Sequence, residues 1–161
     1  AVVMKVRCDI SFAEEASMLA TSQLTGCLLP TSSYVLHAGG VLQDAGVLNQ
    51  TLAKARRVFA PKFSGLTQIM NHITHTNPLA QTVLFSSVSS LLGGPGQMNY
   101  AAANSALDHS STALQSQGML TVSVQWGAWS GAGMAEEAVL ANVKASGLGL
   151  LYPEQGVSAI A

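Results

Sequence analysis

Short apolar runs alternate along the chain with longer segments that carry a helical pattern. The runs have the length of strands, and they cover residues 2–6, 33–36, 82–85 and 120–126. Each run precedes a segment that is predicted to be helical. Strands that alternate with helices pair in parallel and are joined by crossover connections. The pattern therefore predicts an α/β fold with a doubly wound parallel sheet.

Capping residues and helix breakers set the bounds of the predicted helices. Ser11 is placed to cap a first helix that runs to about residue 22. Pro61 is expected to interrupt a helix and to separate it from the next one. Pro153 is a favourable first residue for a last helix. The remaining predicted helices cover residues 49–59, 62–73, 99–117 and 134–145.

The third strand and the helix after it carry the polar residues that suggest chemistry. Ser87 follows the strand at its carboxyl end, where open α/β sheets bind ligands. Tyr100, Asn104 and Asp108 recur every four residues, so they share one face of the helix. A phenol, an amide and a hydroxyl at one sheet edge indicate a proton-transfer site. Taken singly, Tyr100 is also compatible with a packing role, Ser87 with loop capping, and Asp108 with a structural role in the helix.

Composition and charge exclude several classes of protein. Of the 161 residues 48% are hydrophobic, 9% are charged, and the formal net charge is −1. The low charge, against about a quarter in typical domains, predicts that other protein covers part of the surface. The scattered basic residues give no nucleic-acid footprint, and polar residues interrupt every apolar segment long enough to span a membrane. Cys8 and Cys27 lack metal-ligand spacing and favour a reducing, cytoplasmic compartment.

Four segments in this order resemble the ketoreductase domains of type I polyketide and fatty acid synthases. They are HAGGVLQD, PKFSG, FSSVSSLLGGPGQMNYAAANSALD and WGAWSGAGMA. Such domains belong to the short-chain dehydrogenase/reductase superfamily and have a Rossmann-like sheet. The resemblance implies reduction of a β-ketoacyl thioester, tethered to an acyl carrier protein, with hydride from NADPH.

The resemblance also implies roles for four catalytic residues. Tyr100 donates the proton, and Lys62 is the cation that eases its release and touches the nicotinamide ribose. Ser87 hydrogen-bonds the substrate oxygen, and Asn104 holds the lysine and a relay water. Lys62 with Asn104 matches the interchanged arrangement that distinguishes this family within its superfamily.

Further residues match cofactor and substrate positions of that family. The cofactor positions are Asp9, Ile10, His37, Ala38, Gly39, Lys62, Tyr100, Trp126 and Gly127. Asp9 is equally compatible with a capping role, and Trp126 with a core role. The substrate positions are Asp44, Gln97 and Met134, the last at the start of a lid helix over about residues 134–146. Asp44 and Leu92 favour a D-hydroxy product. The three histidines at 72, 75 and 109 lack a metal-ligand context and are expected at the surface.

The family pattern also describes what residues 1–161 lack. No Gly-rich phosphate turn follows the first strand, so the sequence resembles the carboxyl-terminal two-thirds of one ketoreductase domain, without its first two strands and its last. Residues 1–161 alone are expected to bind little NADPH and to be inactive. Two alternatives stay open at this point: a non-catalytic structural half-domain of a synthase, and a stand-alone short-chain alcohol dehydrogenase.

Overall fold

The computed structural model describes residues 5–20, 34–76, 79–131 and 147–160. Within these ranges the sheet has three parallel strands in the order β1-β2-β3: β1 (Tyr34–His37), β2 (Gln81–Ser87) and β3 (Thr121–Trp126). In the register of the sheet, His37 is opposite Leu84, and Ser87 is opposite Trp126. The carboxyl ends of all three strands therefore meet at one edge. The predicted α/β fold with a parallel sheet is confirmed.

Six α-helices of the described residues connect and flank these strands. They are α1 (Ala13–Ala20), α2 (Leu52–Phe59), α3 (Gly65–Thr76), α4 (Ser89–Leu92), α5 (Met98–Ser116) and α6 (Pro153–Ile160). A 3₁₀ turn, Val47–Asn49, precedes α2. The short helix α4 lies where the sequence predicted only loop. The predicted helix over residues 134–145 and the connection before β1 lie outside the described residues.

The core lies between the sheet and helices α3 and α5. Its buried members are Leu66, Met70, Ile73, Ala80, Leu84, Leu107 and Met119. They come from the inward faces of both helices, from β2 and from the residues that precede β2 and β3. Tyr34, Leu36 and Val122 are exposed on the opposite face of the sheet. Among the described residues the packed core therefore occupies one face of the sheet.

The predicted first strand is wrong for the part of it that is described. Residues 5–9 form no strand. The described sheet offers no neighbour beyond β1, and an extended segment without a neighbour lacks the ladder hydrogen bonds that define a strand. The segment forms local bonds instead: Ser11 donates from its amide and its hydroxyl to Asp9 Oδ1, and the Asp9 amide donates to Glu15 Oε2.

The sequence predicted that Pro61 would interrupt the helix, and this prediction is wrong. A π-helical turn, Ala60–Ser64, joins α2 to α3, and the amide of Gly65 donates to the Ala60 carbonyl. Proline lacks an amide hydrogen and its ring crowds the preceding turn of a normal helix. The wider turn makes room for the ring, so the chain continues as a helix. This turn carries Lys62.

Candidate active site

A cavity of about 120 Å³ opens at the carboxyl ends of the three strands. It is lined by Ala38, Lys62, Phe85, Ser86, Ser87, Tyr100, Trp126, Gly127 and Trp129. Six of these residues were predicted as site residues from the sequence: three catalytic and three cofactor-binding. Parallel strands bring them together because each strand ends at the same edge.

Lys62 is buried in this cavity with 2% of its surface exposed. Its Nζ donates to the carbonyl oxygen of Phe85 at 3.1 Å and lies 5.3 Å from the centre of the Tyr100 ring. Burial lowers the pKa of Lys62 from 10.5 to about 8, while the carboxylate of Asp108 acts in the opposite direction. A lysine whose pKa lies near neutrality can change its charge during a reaction.

Tyr100 lies on the first turn of α5 and faces the same cavity. Burial raises the pKa of its phenol, an effect that the nearby side chains of Asn104 and Ser87 oppose. The raised pKa is opposite to the expected effect of a neighbouring cation. Burial is the largest cause of the shift, although Lys62 Nζ lies over the face of the ring. The phenol is therefore protonated at neutral pH.

Ser87 makes a structural contact at the end of β2 and also faces the site. Its Oγ accepts a hydrogen bond from the amide of Ser89 at 3.2 Å, at the start of α4. It lines the cavity as well and lies close enough to influence the Tyr100 phenol. The Ser87 hydroxyl therefore makes a capping contact and also lines the cavity.

Asn104 is completely buried one helical turn after Tyr100. Its Nδ2 donates to the Tyr100 carbonyl at 2.9 Å. Its carboxamide acts to lower the pKa of the Tyr100 phenol, and its Oδ1 has no partner within hydrogen-bond geometry. Buried polar atoms are nearly always paired, so this oxygen is an open acceptor beside the predicted proton donor.

His37 and Gly39 lie beneath the π-turn rather than in the cavity lining. His37 Nε2 donates to the carbonyl oxygen of Lys62 at 2.8 Å, since a carbonyl can only accept. Burial lowers the pKa of His37. A Cβ atom at Gly39 would lie 2.9 Å from the Pro61 carbonyl oxygen and 3.7 Å from Ile10 Cδ1. The predicted cofactor residues Ile10, His37 and Gly39 thus pack around the segment that carries Lys62.

Asp9 lies apart from the cavity. It is exposed, and the hydrogen bonds from Ser11 lower the pKa of its carboxylate. These contacts fit the capping alternative that the sequence left open.

Asp44 and Gln97 are brought together by the structure. Gln97 Nε2 donates to Asp44 Oδ2 at 3.1 Å, although 53 residues separate them. The charge of Asp44 also acts to raise the pKa of the Tyr100 phenol, which places this pair near the site. Met134 lies outside the described residues.

Several residues of the site were missed in the sequence. The Phe85 carbonyl holds Lys62 through its backbone, so no side-chain signal marks it. Trp129 contacts Trp126 with its ring tilted by 58° and the ring centres 5.1 Å apart, and it packs against Gly156 of α6. The Gly-rich segment around Trp129 was the available signal. Asp108 accepts from Ser123 Oγ at 2.6 Å and Gln125 Nε2 at 2.8 Å, which ties α5 to β3. The predicted structural role of Asp108 matches this contact, and its charge reaches Lys62 as well.

The described ranges contain neither a candidate membrane-spanning helix nor a candidate metal site. No helix there is both long and apolar enough to cross a membrane. No three histidine, cysteine, aspartate or glutamate side chains of the same residues group as a metal site.

The described fold is that of the short-chain dehydrogenases and reductases. It superposes on a short-chain dehydrogenase from Streptomyces avermitilis with a TM-score of 0.75, at 20% identity, covering 96% of this chain and 63% of that one. It superposes more closely on an A1-type ketoreductase, with a TM-score of 0.86 and 27% identity. That match covers 96% of this chain and 32% of the ketoreductase. The ketoreductase from the first module of phoslactomycin biosynthesis in Streptomyces gives a TM-score of 0.85 at 29% identity. That match covers 96% of this chain and 35% of the ketoreductase.

The chain belongs to the KR domain family, whose model matches residues 1–131. It is 36% identical over 150 residues to 6-methylsalicylic acid synthase of Aspergillus terreus, covering 93% of this chain and 8% of that protein. It is 39% identical over 127 residues to a phenolphthiocerol/phthiocerol polyketide synthase of Mycobacterium tuberculosis, covering 78% and 6%. The chain therefore spans less than a tenth of these two relatives. The predicted resemblance to polyketide synthase ketoreductases is confirmed.

Proposed function

We propose that this chain carries the catalytic groups of a β-ketoacyl reductase domain in a multidomain synthase. The substrate is a β-ketoacyl thioester on an acyl carrier protein, the product is the β-hydroxyacyl thioester, and NADPH is the hydride donor. The observation that carries the proposal is the cavity that unites Lys62, Ser87 and Tyr100. Membership of the KR domain family and the polyketide synthase relatives support the substrate class.

The cavity fits the reactive ring of a nicotinamide cofactor. Ala38 and Gly127 leave its walls open, and a Cβ atom at Gly127 would meet no other atom within 4 Å. A volume of about 120 Å³ holds one ring-sized group rather than a whole dinucleotide. When bound, the cofactor supplies a hydride to the carbonyl carbon. Trp126 and Gly127 would hold its ring, and NADPH is proposed over NADH from the family.

Tyr100 is the proposed acid. As the carbonyl carbon gains a hydride, its oxygen gains the phenolic proton, and the phenol becomes a phenolate. Burial keeps the phenol protonated at neutral pH, which is the state that a general acid needs before the reaction. The Ser87 hydroxyl would donate to the same carbonyl oxygen and stabilise the charge that develops there.

Lys62 is proposed to favour the phenolate that this step leaves. With a pKa of about 8, most Lys62 side chains are cationic at pH 7, and a cation next to a phenolate stabilises it. Asn104 offers its open Oδ1 to Lys62 or to a water that returns the proton. A structural half-domain would gain stability from an apolar residue at position 62, because burying a charge is costly. The buried lysine therefore favours catalysis over the scaffold alternative.

The experiment is a reductase assay on the full-length protein with NADPH and the N-acetylcysteamine thioester of 3-oxobutanoate. Tyr100→Phe is expected to lower kcat by about 10²- to 10⁴-fold, the usual contribution of a general acid. Tyr34→Phe is the matched control, because Tyr34 is an exposed tyrosine on β1. Wild-type protein without turnover, or a Tyr100→Phe variant with full turnover, would contradict the proposal.

A further inference from the structure

Several hydrogen bonds join the loop over residues 43–50 to residues 96–99, where the chain enters α5. The Ala45 amide donates to the Gly96 carbonyl at 2.9 Å, and the Asp44–Gln97 bond lies beside it. Gln50 Nε2 reaches back to the carbonyls of Ala45 at 3.0 Å and Gly96 at 3.3 Å. We call this segment the 43–50 loop. It carries the proposed substrate residue Asp44, and α5 carries Tyr100.

Asn99 bonds the loop and the first turn of α5 with a single side-chain amide. Its Nδ2 donates to the Gln43 carbonyl at 2.8 Å, and its Oδ1 accepts from the Tyr100 amide at 2.7 Å. Only 4% of its surface is exposed. The residue that precedes α5, Gln97, makes no side-chain cap to the helix. Since the first amides of a helix lack partners within the helix, Asn99 supplies an acceptor that the usual capping position does not.

We propose that Asn99 is a positioning residue that fixes the 43–50 loop, and with it Asp44, relative to the phenol of Tyr100. This rests on the proposed reductase function. The two halves of the Asn99 carboxamide have separate tasks: the amide nitrogen holds the loop, and the oxygen holds the first turn of α5. The charge of Asp44 already acts on the Tyr100 phenol, so the distance between them affects the acid as well as the substrate.

The separation of tasks gives a test with two variants in the full-length protein. Asn99→Asp keeps an acceptor for the Tyr100 amide and loses the donor to Gln43. It is expected to raise KM for the 3-oxobutanoate thioester by about tenfold or more, because one hydrogen bond is lost and the new carboxylate faces the Gln43 carbonyl oxygen, and to change kcat less than KM. Asn99→Ala loses both contacts and is expected to raise KM and lower kcat. Asn49→Ala is the matched control, because Asn49 is an exposed asparagine of the same loop, and it should leave both constants unchanged.

Amide hydrogen exchange reads the same contacts without any turnover. Asn99→Asp should speed exchange at the Ala45 amide and leave the Tyr100 amide protected, whereas Asn99→Ala should speed both. Gln50→Ala, which removes two loop contacts without touching α5, should reproduce the Ala45 effect and the rise in KM. The exchange result decides the role of Asn99 even if the wild-type protein reduces no thioester, an outcome that would overturn the proposed function alone.

Two outcomes would overturn the positioning role. One is unchanged exchange at the Ala45 amide in both Asn99→Asp and Asn99→Ala. The other is a fall in kcat for Asn99→Asp at constant KM, which would mean that Asn99 acts on the chemical step without the loop. A variant that fails to fold leaves Gln50→Ala to decide, because unchanged Ala45 exchange there contradicts a fastened loop.

Discussion

The ammonium group of Lys62 donates to the carbonyl oxygen of Phe85 at 3.1 Å. This contact fixes a cation from the π-turn on the central strand of the sheet. The Lys62 side chain is also removed from water, since only 2% of it is exposed. The contact therefore sets the position of the charge, and burial makes that charge costly.

Lys62→Met is expected to change how stability depends on pH. The pKa of Lys62 is about 8 in the folded protein and 10.5 ordinarily, so the unfolded chain binds more protons between these values. Stability of the wild-type chain should therefore rise with pH through this window, by up to roughly 3 kcal/mol. Below pH 8 the buried charge costs its full amount, and Lys62→Met should be more stable than wild type. Denaturant unfolding from pH 7 to pH 10 measures this.

The matched control is Lys54→Met, whose lysine lies on α2 outside the cavity and donates to the Asn49 carbonyl. It should lack the gain in stability at pH 7. Asp108, Tyr100 and His37 are the titratable groups closest to Lys62 in these interactions. A Lys62→Met chain that is less stable than wild type at pH 7 would contradict the cost assigned to this charge.

Reductase activity is expected to fall as pH rises past about 8, because Lys62 then loses the proton that favours the Tyr100 phenolate. The measurement is the pH profile of kcat/KM for the 3-oxobutanoate thioester. The profile of Lys62→Met should lack this fall, at a much lower level of activity. A wild-type profile that stays flat well above pH 8 would show that the charge on Lys62 does not matter.

Gly39→Ala is expected to destabilise the fold by about 1–3 kcal/mol and to lower activity. The new Cβ would lie 2.9 Å from the Pro61 carbonyl oxygen, a backbone atom of the turn that carries Lys62. Gly46→Ala is the matched control, because a Cβ there meets no atom within 4 Å and its φ of −58° suits any residue. Thermal unfolding compares the two. Equal melting temperatures for both variants would mean that the π-turn moves away from the new Cβ without loss of stability.

Asp108→Asn is expected to weaken the tie between α5 and β3. Burial acts to raise the pKa of Asp108, but hydrogen bonds from Ser123 and Gln125, with smaller effects of Ser86 and Ser90, lower it overall. A carboxylate with a lowered pKa stabilises the fold above its ordinary pKa, and this contribution is lost as pH falls through the folded value. We expect a loss of about 1 kcal/mol at pH 7, limited by solvent screening. Wild type and variant should converge in acid, and a constant difference would contradict the charge effect.

The sequence predicted the elements whose signals are local. The strands β1, β2 and β3 and the helices α1, α3 and α5 begin and end within a few residues of the predicted bounds. The four-residue spacing of Tyr100, Asn104 and Asp108 placed them on one helix face. The pattern also placed Ser87 at the same sheet edge, whereas the role of Lys62 beside Tyr100 and Ser87 was predicted from family resemblance.

The features that were missed depend on contacts far apart in the chain. The bond from Asn99 to Gln43 spans 56 residues, and that from Gln50 to Gly96 spans 46. Neither pair has a spacing that any helix or strand would produce. A proline inside a helical pattern predicts a break, but whether a wider turn can replace the break depends on packing against Ile10 and Gly39.

The π-turn also makes the length of the chain between Ala60 and Ser64 matter. A π-turn holds about one residue more than an ordinary helical turn, and each residue of an α-helix turns it by about 100°. Deleting one residue here would restore regular helical winding and rotate either α2 or α3 by that angle. The apolar side chains of α3 could then not stay in the core while the Lys62 ammonium group stays in the cavity. Natural variation in length at this point should therefore be absent from chains that keep the lysine in the cleft.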